Sequence, residues 1–275
     1  MKQGIGIIGF GNMGSAIAER IKSGFKVIVF DKDKTKTAGL SGLKAAEGIL
    51  DLVNRVDAVL LAVKPQDFDA VLNEIKSAVK DKLVISIAAG ITTAYIENLL
   101  GRVKVVRVMP NIGARIGEAE SSLCKGSNAK DGDLDFAKEL FGYIGKTWVM
   151  EERMIDAATA ISGSGPAYIY YDMEINKIDP GNVPEETENK YIELLSKAAE
   201  RVGFDPLTAM ELASSTTSSS LHLAATGVAP SELRKQVTSK GGTTEAAIKV
   251  LAAGGSWEEA AQAAKKRAQE LSKKE

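Results

Sequence analysis

The stretch IGIIGFGNMGSAIAERI, Ile5–Ile21, decides how the first half of the chain is read. It opens with a β-branched run, passes through Gly9, Gly11 and Gly14 spaced as G-x-G-x-x-G, and continues with the apolar spacing of an amphipathic helix. A strand that turns through glycines into a helix brings backbone N–H groups and the positive end of the helix dipole to one place, which suits a pyrophosphate. The first glycine permits the tight turn, the second lets the phosphates approach the backbone, and the third allows the helix to lie against the strand. Ile8, Asn12 and Met13 flank these glycines and belong to the same predicted cofactor-binding turn.

Outward from this turn the pattern repeats. KVIVF, DAVLLAV and KLVISIA are continuous apolar runs of the kind buried on both faces, and FDAVLNEIKSAV between the last two has helical spacing. VKVVRVM, ESSLC and TWVM are further strand candidates. Alternating strands and helices predict a parallel sheet with right-handed crossovers, an α/β domain of the Rossmann type over residues 1–152. The second strand ends in Asp31, near the ~20-residue spacing at which an acid meets the ribose hydroxyls of a dinucleotide. That favours NADH, because a carboxylate repels a 2′-phosphate. Lys32, Lys34 and Lys36 follow at once and offer a competing site for that phosphate, although Lys36 reads as a solvated loop residue. NADPH therefore stays open.

From Ile155 onward strand signals stop, and residues 153–275 read as an all-α domain. Asp205-Pro206 is an N-cap with proline in the first helical position, and Ser256 with Glu259 makes a capping box that opens a helix expected to run to Glu275. DMEINKIDPGNVPEETENKY, Asp172–Tyr191, reads as an acidic loop or insertion. Within this helical half sits VTSKGGTTEAA, Val237–Ala247, whose paired glycines cost a helix about 2 kcal/mol relative to alanine. A glycine turn rich in hydroxyls at a helix start suits an anion.

Composition narrows the chemistry. The chain has 275 residues, a formal net charge of -1, one cysteine and one histidine. No charge excess argues for nucleic acid or a membrane surface, no disulfide can form within the chain, and histidine-rich metal sites are excluded. Cys124 reads as a packed strand residue and His222 as structural. The N-terminus lacks the pattern of a signal peptide, and no apolar run is long enough to span a bilayer. A cytoplasmic protein is expected.

Five segments in order, LAVKPQDF, SIAAGIT, RVMPN, SGSGPAYIYY and VTSKGGTTEAA, together resemble pyrroline-5-carboxylate reductase over nearly the whole chain. The resemblance implies NAD(P)H-dependent reduction of a cyclic imine to proline, with an N-terminal dinucleotide domain and a helical domain that dimerises, the dimers commonly assembling further. It places Ala62, Val63, Lys64 and Pro65, then Ala88, Ala89 and Gly90, in the cofactor cleft, with Asn111 near the nicotinamide. It makes Ser239, Lys240, Gly241, Gly242, Thr243 and Thr244 the substrate loop, with Thr244 the hydroxyl near the imine nitrogen and no metal required. The chain departs from the family where Lys240 replaces a proline, and where Ile112-Gly113 follows MPN. Two other readings compete. A β-hydroxyacid dehydrogenase shares the opening but needs a G-x-x-x-K-x-x-N helix that is missing near Ser162–Leu195. A non-catalytic dinucleotide-binding scaffold or redox sensor has only the two departures in its favour.

Overall fold

The computed structural model describes residues 3–272. The chain forms two compact units, one of residues 3–109 and 123–152, the other of Pro110–Ser122 and 153–272.

The first unit is built on β1 (Gly4–Ile8), α1 (Asn12–Ile21), β2 (Lys26–Phe30), β3 (Lys44–Ala45), α2 (Ile49–Asn54), β4 (Ala58–Leu61), α3 (Pro65–Ile75), β5 (Leu83–Ser86), α4 (Thr93–Leu100) and β6 (Lys104–Met109). Then come β7 (Ala119–Lys125), whose first half is counted with the other unit, α5 (Asp131–Gly142), β8 (Gly145–Val149) and α6 (Glu152–Ala158), which leads out of it. The strands order as β3-β2-β1-β4-β5-β6-β7-β8. From β3 to β6 every pairing is parallel, with Ile7 opposite Val29 on one side and Leu60 on the other. Gly126, just past β7, donates to the Val105 carbonyl near the start of β6, so β7 returns in the antiparallel sense. Strands β1, β4 and β5 are buried along their whole length, which is why their sequences are apolar without alternation. The parallel order reverses between β1 and β4, and ligands in such sheets bind beyond the carboxyl ends of the strands at that switch.

The second unit carries a π-helical turn, Thr159–Gly163, then α7 (Gly165–Asn176), α8 (Glu185–Val202), α9 (Pro206–Ala224), α10 (Pro230–Val237), α11 (Thr243–Ala252) and α12 (Trp257–Ser272). The predicted caps are present: Asp205 accepts from the Thr208 N–H, and Ser256 and Glu259 bond reciprocally. The last three residues of the helix expected up to Glu275 lie outside the described residues, as do Met1 and Lys2. Trp257 holds the core of this unit together, stacked on Tyr191 and edge-on to Tyr168.

Two expectations need correction. The acidic stretch Asp172–Tyr191 is mostly helix, since α7 continues to Asn176 and α8 begins at Glu185. Lys177 ends α7 in the left-handed conformation, φ 54°, and the acids Glu185, Glu186 and Glu188 fall in the first turn of α8, where they complement the helix dipole. Residues Pro110–Ser122, expected in the first domain, pack with the helices. Asn111 donates to the Ser162 carbonyl at 3.0 Å, and buried Glu120 accepts from Ser215.

Candidate active site

The glycines of the first turn have different reasons to be glycine. Gly9 has φ 100°, and a Cβ on it would meet the Ala62 carbonyl oxygen at 2.6 Å. A Cβ on Gly14 would meet the Gly9 oxygen at 2.1 Å. Both are demanded by the close approach of backbone. Gly11 is not: its φ is -81°, and a Cβ there would have no atom within 4 Å. Gly11 is the N-cap of α1, makes no side-chain cap, and is followed by a first turn without acids. The first N–H groups of α1, those of Asn12, Met13 and Gly14, have no acceptor within the helix by its geometry. The turn therefore fits a pyrophosphate, with the open side of Gly11 leaving room for it.

Asp31 lies at the end of β2 and is buried. Its carboxylate accepts from the Phe10 N–H at 2.8 Å and the Asp33 N–H at 2.9 Å. Burial alone would raise its pKa, but these backbone donors and Lys36 together hold it below the ordinary carboxylate value. Lys36 lies beside this carboxylate. It is exposed, as expected, and its ammonium also sits 3.4 Å from both Asp31 oxygens. Lys32 pairs with Asp67 at 2.9 Å. The remaining cofactor candidates follow strand ends: Ala62–Pro65 after β4, with exposed Lys64 as the N-cap of α3 and Pro65 in its first turn, and Ala88–Gly90 after β5, with Gly90 at φ 76°.

In the helical unit, Ser239–Thr244 is a turn entering α11. The Gly242 N–H donates to the Ser239 carbonyl at 3.0 Å. The Gly241 N–H donates to Glu245 at 3.0 Å. The N–H groups of both glycines are thus already engaged, and the donors that helix geometry leaves without an internal acceptor are those of Thr243, Thr244 and Glu245. Gly242 is the N-cap of α11 and has no side-chain cap. Thr244 is buried, and its hydroxyl lies 3.1 Å from the hydroxyl of Ser164, which is also 3.2 Å from that of Thr243. Ser164 is fully buried at the start of α7. Three hydroxyls from two distant motifs thus converge. Lys240 is exposed. Burial pushes the Tyr168 phenol far above its ordinary value, against an opposing hydrogen bond from Ser164, so it stays neutral.

Asn111 is used structurally. Its amide donates to the Ser162 carbonyl, and its oxygen accepts from the N–H groups of Gly113 at 3.1 Å and Glu120 at 3.0 Å. Gly113, a departure from the family pattern, sits where a Cβ would meet the Glu118 carbonyl oxygen at 2.3 Å. Arg115 bonds Gln236. His222 is exposed and bonds Glu118 at 2.7 Å, and Cys124 is buried on β7. Among the described residues, no group of three or more His, Cys, Asp or Glu side chains is arranged for a metal, and no helix is long and apolar enough to cross a membrane. Sequence reading singled out Ser164 only as part of its motif, although the repeated serine of SGSG was the visible signal.

Residues 4–90 match the family model described as NADP oxidoreductase, coenzyme F420-dependent, and residues 190–271 match that for pyrroline-5-carboxylate reductase dimerisation. A pyrroline-5-carboxylate reductase of Methanosarcina acetivorans is 35% identical over 99% of this chain and 99% of its own. The chain belongs to the pyrroline-5-carboxylate reductase family. Among solved structures, the pyrroline-5-carboxylate reductase of Coxiella burnetii superposes with a TM-score of 0.66 at 30% identity, covering 99% of this chain and 100% of that one. The pyrroline carboxylate reductase of Plasmodium falciparum, solved with NADP bound, gives 0.64 at 26% identity, covering 98% of each. The match to the family's dimerisation model points to a homo-oligomer.

Proposed function

We infer that this protein reduces 1-pyrroline-5-carboxylate to L-proline with NAD(P)H, as the last step of proline biosynthesis. The observation that carries the reading is the full-length kinship with the reductases, joined to a buried hydroxyl cluster at the uncapped start of α11. The first N–H groups of α1 would hold the cofactor pyrophosphate and Asp31 its ribose. When bound, the reduced nicotinamide supplies the hydride for the C=N carbon, and one proton is taken up at nitrogen. A protonated imine is already electrophilic, so positioning and exclusion of water account for most of what the protein must do.

Within that reading the N–H groups of Thr243 and Thr244 hold the substrate carboxylate, Ser239 adds a hydroxyl, and Lys240 adds a cation at the rim. Thr244 presents its hydroxyl to the imine nitrogen. Ser164 has one proton to give and two threonine oxygens beside it, so it restricts the directions in which the Thr244 hydroxyl points. A threonine is a weak acid, and solvent is the ultimate proton source. Asp31 favours NADH, with Lys36 the residue that a 2′-phosphate would recruit. The same reading makes the active form a dimer that assembles further in the cytoplasm; the single buried cysteine requires no oxidising compartment.

The test is turnover of pyrroline-5-carboxylate with each reduced cofactor, followed by loss of nicotinamide absorbance and by formation of proline. Turnover with either cofactor sustains the proposal. Absence of proline with both overturns it.

A further inference from the structure

The Ser239–Gly242 segment is a β-turn closed by the Gly242 N–H on the Ser239 carbonyl, with Gly241 third at φ 71°. Lys240, second, has no positive φ, so the turn has the signature of type II, in which the second position accepts proline and the third wants glycine. With lysine at 240, nothing covalent fixes the entry to this turn. Two side chains grip it instead. Glu245, in the first turn of α11, accepts the Gly241 N–H at 3.0 Å. Arg267, far along the chain on α12, donates through Nε to the Gly241 carbonyl at 2.8 Å, while its Nη1 rests on Glu270 at 3.0 Å. The N–H and the carbonyl of one glycine are therefore both held by charged side chains, and charge-assisted bonds of this kind are the stronger ones.

We propose that Arg267 and Glu245 are positioning residues for the substrate reaction: they fix both polar groups of Gly241 and so hold the start of α11 in the arrangement that receives the substrate carboxylate, replacing the rigidity that a proline at 240 supplies. The inference rests on the reading of Ser239–Thr244 as the substrate loop. The Glu245 carboxylate is held below its ordinary pKa, first by the Gly241 N–H and then by Lys249, so the clamp is in place throughout the neutral range and is lost as pH falls through that lowered value.

The experiment is a double-mutant cycle on the full-length protein, with R267A, R267K, K240P and K240P/R267A. Amide hydrogen exchange across 238–245 is read alongside KM and kcat for pyrroline-5-carboxylate. R267A should raise KM about tenfold, equivalent to one lost charge-assisted hydrogen bond, with kcat changed much less. It should also raise exchange across 238–245 about tenfold while leaving β1–α1 unchanged. In the K240P background both effects of R267A should shrink to about threefold or less, because the turn is already preset. R267K keeps the charge and loses the fixed fork, and should fall between wild type and R267A. Unchanged exchange in R267A, or an equal effect of R267A in both backgrounds, overturns the proposal. Because exchange is read without turnover, the two failures are distinguishable: a clamp seen by exchange in a protein that makes no proline breaks the functional reading and with it the positioning role, whereas turnover with unchanged exchange in R267A breaks the clamp alone.

Discussion

The glycine turns at Gly9–Gly14 and Ser239–Thr244 both lead into helices, and they are rigid for opposite reasons. At Gly9–Gly14 the glycines are demanded by main chain: the Ala62 carbonyl and the Gly9 oxygen occupy the places where side chains would go. At Ser239–Thr244 the turn is held from outside by Glu245 and Arg267. Both turns end in a glycine N-cap with no side-chain cap, whereas α4 and α9 are capped by Thr92 and Asp205. Helices α2, α3, α7, α8 and α10 also start without a side-chain cap, so a missing cap does not by itself mark a ligand site. What separates the two turns is how they are held, one by the close approach of main chain and the other by side chains distant in sequence.

The sharpest way to break this comparison is inside the first turn. Gly9→Ala combines a positive φ with overlap against the β4 end, and should cost about 3 kcal/mol or more, read as a large drop in Tm. Gly11→Ala meets open space, so Tm should hold while cofactor affinity, measured by fluorescence titration, falls about tenfold or more. If Gly11→Ala binds cofactor normally, the uncapped helix start is not the phosphate site. In the second turn, Thr244→Ala should reduce kcat roughly ten- to hundredfold, with KM changed less, as for a lost hydrogen bond of about 1.5–3 kcal/mol to a charged group. Full kcat would make that hydroxyl a packing group only.

Asp31→Ser removes the carboxylate and releases Lys36, and should shift the NADPH/NADH ratio of kcat/KM about tenfold toward NADPH. A wild-type enzyme that already prefers NADPH by that margin would mean that Lys36 dominates the site. The folded pKa of Asp31 is depressed, so its stabilising contribution is present above the unfolded carboxylate value of about 3.9 and disappears as pH falls through the lower folded value. The stability gap between wild type and Asp31→Asn should therefore be constant from neutral pH down to about 5 and close below 4. The smallest effect belongs to His222→Ala, which removes an exposed pair with Glu118 and should change stability by under about 1 kcal/mol and kcat not at all.

Much of this was legible in the chain because it is local. Buried parallel strands announce themselves as unbroken apolar runs, and a glycine fingerprint between a strand and a helix carries its own context. The turn at Val237–Ala247 was visible as chemistry out of place in a helical domain. What escaped depended on partners distant in sequence. Nothing near Arg267 in the sequence signals a carbonyl 26 residues away. The pairing of exposed Lys36 with Asp31 escaped because Asp31, five residues back, reads as the ribose acid. The Asp172–Tyr191 stretch was misread for another reason: Asp179-Pro180-Gly181 is a true turn, but the glutamates after it favour a helix start and were counted as loop.

The placement of Pro110–Ser122 has a consequence for how the protein is made. During synthesis this segment leaves the ribosome directly after β6, well before any helix of the unit it belongs to. The hydrogen bonds that Asn111 gives to Ser162 and Glu120 accepts from Ser215 form only once those later residues have been made. The rest of the first unit, from Leu123 in β7 through β8, follows that segment in the chain. Folding of the two units is therefore interleaved along the chain, and a fragment cut at residue 152 would carry away thirteen residues that the helical unit needs.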